Sequence, residues 1–85
     1  MGEPEIPGKR WDSAEAVHLD LRGLEPPEPM VAILAVLDTP GEKRPVTIIM
    51  SRDPIFLFPE LAERGWQHEY LPSEGAETRL RLTRV

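Results

Sequence analysis

Two histidines, three serines and several arginines beside turn signals are the residues of this sequence with chemistry to offer, and cysteine is absent. His18 and Asp20 stand two residues apart, a spacing that puts both on one face of an extended strand. An imidazole beside a carboxylate can move a proton, but catalysis also needs a nucleophile and a pocket. Ser13 falls in the stretch 1–13 that reads as a tail, Ser73 in a turn, and Ser51 where serine ordinarily caps or turns the chain. His18 and His68 fall on opposite faces of a sheet by parity, so they make no shared metal site. His68 shares its face with Trp66 and Tyr70 and reads as a partly buried histidine among aromatics. Without a thiol, disulfides, thiolate catalysis and cysteine-bound zinc are closed. The reading is a protein that is not an enzyme, with no catalytic residues, no metal and no cofactor.

Two arginines carry a different possibility. Arg22 and Arg52 each follow a predicted strand and precede a predicted helix. Strand carboxyl ends form the usual crevice of α/β sheets, and helix N-termini favour anions. If the two strands are parallel neighbours, the two guanidinium groups sit at one rim and could grip a small anion, or they could pair with Glu25, Glu28 and Asp53. Both readings stay open from the sequence.

The elements that would position these residues follow from periodicity. Residues 16–21 alternate, with Val17, Leu19 and Leu21 on one side and His18 and Asp20 on the other, as in a half-buried strand. Prolines at 26, 27 and 29 hold the preceding residues extended, so a helix starts at about Pro29. Met30, Ile33, Leu34 and Leu37 form its apolar stripe, and the residues between are apolar too. Such a helix is either well buried or offers a contact surface to a partner. Pro40-Gly41 ends it. Residues 46–50 make a second strand. Pro59 requires the next helix to begin no earlier than about Phe56, with 55–58 a separate turn as the alternative. Gly65 stops that helix. Residues 66–71 and 78–85 alternate on either side of a glycine-containing turn and predict an antiparallel hairpin.

The order β-α-β-α-β-β predicts an α/β two-layer sandwich of the α+β kind, a four-stranded mixed sheet with both helices on one face. The open face then shows His18, Asp20, Thr47, Gln67, Glu69, Arg79 and Arg81, with Ile49 the apolar exception. Residues 1–13 read as a mobile tail holding Trp11, docked or exposed, and residues 14–85 as a single domain.

The stretch Leu19-Asp20-Leu21-Arg22-Gly23-Leu24-Glu25-Pro26-Pro27-Glu28-Pro29 resembles the opening of the TusA/SirA-like superfamily, whose sulfur carriers place a C-P-x-P motif at the start of the first helix. Here Pro27-Glu28-Pro29 keeps the P-x-P, and Pro26 stands where those carriers have their cysteine. The resemblance runs from about Val17 to the C-terminus and implies the same sandwich. It is to a cysteine-less branch of bacterial domains of unknown function. That branch is identified with histidines near the positions of Met30 and Arg52, which this chain lacks, so no metal or haem site carries over. Proline cannot accept a persulfide, and the sulfur relay is closed to this chain by itself.

Composition narrows the partners. Fifteen acidic against ten basic side chains leave a net charge of −5, which argues against a dedicated nucleic-acid binder. No stacking aromatics alternate with Arg79, Arg81 and Arg84. The longest apolar run, 30–37, is too short to cross a bilayer, and absent cysteine fits a reducing, cytoplasmic setting. The expectation is a non-catalytic binding or regulatory module, a monomer or weak dimer, touching an unidentified protein partner through Pro26, Pro27, Glu28, Pro29 and Met30. Alternatives are an accessory to sulfur transfer or redox metabolism and a small-anion-binding domain.

Overall fold

The computed structural model describes residues 7–85. It is a mixed α/β structure in which one sheet carries two helices on a single face. The strands are β1 (Lys9–Asp12), β2 (Val17–Asp20), β3 (Val46–Met50), β4 (Trp66–Leu71) and β5 (Thr78–Arg84), in spatial order β1-β2-β3-β5-β4. The helices are α1 (Glu28–Leu37) and α2 (Phe58–Glu63), the latter preceded by a 3₁₀ turn at Ile55–Leu57. β2 and β3 run parallel and the other neighbours antiparallel. The β2–α1–β3 crossover is the unit that parallel pairing demands.

The sheet has five strands rather than the expected four. Lys9–Asp12 falls inside the stretch read as a tail, but it pairs antiparallel with β2, Lys9 opposite Asp20 and Trp11 opposite His18. Distant groups hold it. The Arg44 guanidinium reaches the Asp12 carboxylate at 3.0 Å and the Ser13 carbonyl at 2.8 Å. Four residues with one large apolar side chain carry no alternation, so no local signal marked this strand. Residues 1–6 of the expected tail lie outside the described residues.

Alternation sorts the sheet faces as expected. Val17, Leu19, Val46, Ile48, Leu80 and Leu82 are buried with Ala32, Ile33 and Val36 of α1 and with Leu57 and Leu61 beneath the second helix. All strand residues in this core point to one face, so both helices cover that face. The open face carries His18, Thr47, Arg81 and Glu69 in one cross-strand row, continued by Trp11.

α1 begins at Glu28, one residue earlier than expected, with Pro29 in its first turn where a missing N–H costs nothing. Its buried stripe is Pro29, Ala32, Ile33, Val36 and Leu37, with Met30 and Leu34 half-buried at the margin. Burial claims most of its apolar surface, and Val31 alone among its large apolar side chains stays open, at 51% exposure. Pro59 sits in the first turn of α2, and the chain before it forms the 3₁₀ turn.

Candidate functional site

Where the parallel strands β2 and β3 end, the chain walls a cleft of about 270 Å³. One wall is the loop entering α1. Leu21 continues the pairing of β2, its N–H donating to the Ile49 carbonyl at 2.9 Å. Gly23 then turns at φ +81°, a conformation that L side chains rarely adopt. The Glu28 N–H donates back to the Glu25 carbonyl at 2.9 Å, which tightens the corner ahead of the helix. Consecutive prolines, Pro26 and Pro27, joined by a cis peptide bond, present no N–H donors here.

The opposite wall is the segment leaving β3. Ser51, Arg52, Asp53, Pro54 and Phe56 line it, and Pro54 is buried. A single hydrogen bond spans the two walls: the Gly23 N–H donates to Ser51 Oγ at 2.8 Å. The Tyr70 hydroxyl on β4 donates to both oxygens of Asp53, at 2.9 and 3.0 Å, and pins this segment to the far edge of the sheet. That bond holds the phenol's proton and raises its pKa above the ordinary value. Leu21, Leu24, Pro29 and Met50 complete an apolar interior, and Phe56 stands at its lip, 47% exposed.

The structure separates the two arginines. Arg52 lines the cleft, exposed and in no ion pair among the described residues. Arg22 lies along a different recess with Gly8, Lys9 and Asp20. Its guanidinium binds both Asp20 oxygens, at 2.9 and 2.7 Å, and holds that carboxyl below its ordinary range. The sequence offers Glu25, Glu28 and Asp53 as its partners, and the structure gives Asp20 instead. Its signal was the two-residue spacing, which puts Asp20 and Arg22 on the same side of extended chain.

Of the residues expected to touch a partner, Pro26, Pro27 and Glu28 are exposed and Met30 half-buried, whereas Pro29 is buried and forms cleft wall. Sequence reasoning did not single out Phe56, Ser51 as a latch, or Tyr70, because each acts through a contact between segments distant in sequence.

His18 and Asp20 share the open face as expected, yet their side chains serve other groups. His18 stacks against Trp11 with ring centroids 5.4 Å apart, and its Nδ1 lies 2.6 Å from Thr47 Oγ1. His68 is on the helix side, stacked on Phe58 at 3.8 Å and edge-on to Tyr70, but exposed rather than partly buried. Arg79 and Arg81 of the open face pair with Glu77 and Glu69. Arg84 lies on the helix side over the Trp66 ring, so the three arginines make no single stripe. Among the described residues no three His, Asp or Glu side chains are grouped to hold a metal ion, and no helix is long and apolar enough to cross a membrane.

A family model described as an uncharacterized conserved protein (DUF2249) matches residues 18–84. No curated protein and no solved structure matches the chain.

Proposed function

This chain belongs to the uncharacterized conserved family DUF2249 over residues 18–84, and we propose that it serves as a non-catalytic module that binds a protein partner at the cleft between its proline corner and the segment leaving β3. The carrying observation is an apolar cleft left open to solvent beside exposed Ile55 and Phe56. Exposed apolar patches of this kind mark interaction surfaces on otherwise polar proteins. Pro26 and Pro27 make one wall rigid, which lowers the ordering cost of binding. The anion-binding alternative draws less support, because Arg22 is engaged by Asp20 and Arg52 shares its cleft with Glu25 and Asp53.

A second reading rests on Pro26. The resemblance to TusA/SirA-like carriers puts the sulfur-bearing cysteine at that position, and Pro26 lines the cleft. An accessory role in sulfur transfer would then have the partner supply the persulfide, with this chain shaping the docking surface only. The reading places the protein in the bacterial cytoplasm as a monomer or weak dimer.

The test compares the proteins retained by the wild-type chain, by Phe56→Ser at the cleft lip and by Arg81→Ala on the open sheet face. A partner kept by Arg81→Ala and lost by Phe56→Ser is expected. The reverse pattern moves the contact to the open face and overturns the proposal. If the retained partner is a persulfide-loaded sulfurtransferase whose discharge this chain accelerates, the second reading replaces the first.

A further inference from the structure

We infer that the cleft takes a basic, apolar polypeptide segment: one large apolar side chain seated between Phe56 and the proline corner, with lysine or arginine on either side. The inference rests on the reading of the cleft as a protein-contact surface and names the chemistry of what fills it.

Size and lining argue for a side chain. At about 270 Å³ the cleft falls just below the small-molecule range of roughly 300–1,000 Å³. Its interior is leucine, proline, methionine and phenylalanine, which reward an apolar group and offer few directional contacts.

Charge argues for the flanks. Glu25 and Asp53 are on the lining, and Glu28 is exposed in the first turn of α1 beside Pro29. None of the three is in an ion pair among the described residues, and Asp53 has only the neutral Tyr70 hydroxyl. Arg52 is the one guanidinium set against them, since the nearby Arg22 is already neutralised by Asp20. Elsewhere Asp12, Asp20, Asp38, Glu42, Glu60, Glu69 and Glu77 are matched by arginines. Among the described residues the other unmatched acidic side chains, Glu15, Glu63 and Glu74, stand singly at the β1–β2 turn, the end of α2 and the β4–β5 turn. Uncompensated negative charge therefore gathers at the mouth of the apolar cleft. The chain's net charge of −5 steers a basic segment toward it. An acidic segment would meet the Glu25 and Asp53 carboxylates on the lining for one arginine, with Glu28 exposed one residue from it.

The experiment uses three labelled peptides of equal length. One holds a central Leu-Phe between lysine pairs, one has glutamates for the lysines, and one has serines for the Leu-Phe. Binding is followed by anisotropy and located by amide shifts over residues 21–30 and 51–56. The lysine peptide is expected to give saturable shifts in both segments and to bind at least about tenfold tighter than the glutamate peptide at low salt. The combined Glu25→Gln and Asp53→Asn variant weakens it about fivefold, as for exposed ion pairs. Added salt weakens it as well, and Arg52→Ala tightens it by removing the one opposing cation. The serine peptide is expected not to bind. Glutamate-peptide binding at the cleft that equals or exceeds lysine-peptide binding overturns the partner chemistry and leaves the cleft as a contact surface. Shifts confined to the open sheet face, or no binding of any peptide, overturn both. Self-association that the lysine peptide fails to displace assigns the cleft to a second copy and overturns the inference.

Discussion

Arg22 and Arg52 occupy equivalent places after parallel strands, and what separates them lies two residues behind each. Asp20 precedes Arg22 on the same side of extended chain and chelates it, while Met50 precedes Arg52 and offers no charge. Spacing thus decides which arginine stays available. The same i,i+2 geometry joins Arg44 to Glu42, whose side chain is nearly buried at 8% exposure. Hydrogen bonds from Arg44 hold the Glu42 carboxyl below its ordinary value of 4.5. A carboxyl that titrates lower in the folded chain than in the unfolded one favours folding when ionised. Its contribution is complete above the unfolded value and disappears as pH falls through the lower folded value. Thermal unfolding of the wild type should therefore lose more stability than Glu42→Gln between about pH 6 and about pH 3. Parallel curves would show that Glu42 contributes nothing through its charge.

β1 shows how an element with no periodicity of its own is held by its surroundings. Arg10 and Arg44 both bond Asp12, Trp11 lies over His18, and Gly8 makes the entry at φ +82°. A Cβ at Gly8 would meet the Asp20 carbonyl and a Leu21 methyl at 2.8 Å. Gly8→Ala combines that clash with a left-handed backbone that costs about 1–2 kcal/mol for an L side chain. The expected result is faster amide exchange over Lys9–Asp12 with little change in β3 and β5, since β1 is an edge strand. Unaltered exchange in β1 would mean that the entry can shift at no cost. α1 is the contrasting element. Its apolar run was legible from the sequence, but only the structure shows Met30 and Leu34 packing half-buried against the core margin while Val31 stays exposed.

At the scale of the whole molecule, one-sided packing leaves a polar sheet face and places all the core leucines on the other. Leu80 and Leu82 on β5 are fully buried between flanking strands. Leu80→Ala should cost about 2–5 kcal/mol in chemical denaturation, the range for a buried leucine whose site cannot collapse. Loss of under about 1 kcal/mol would indicate a loosely packed core, contrary to the burial around it.

The alternation of 16–21, 66–71 and 78–85 and the β-branched run 46–50 marked the strands β2 to β5 and their inward faces, and right-handed crossovers after β2 and β3 put both helices on one face. Pro26 to Pro29 likewise marked the corner that became one cleft wall. What the sequence could not determine were the contacts between distant segments: Arg44 with Asp12, Gly23 with Ser51, Tyr70 with Asp53. Those bonds added the fifth strand, joined the two cleft walls and set Phe56 at the lip. Each joins groups far apart along the chain, and which distant groups meet is decided only when the chain closes on its core.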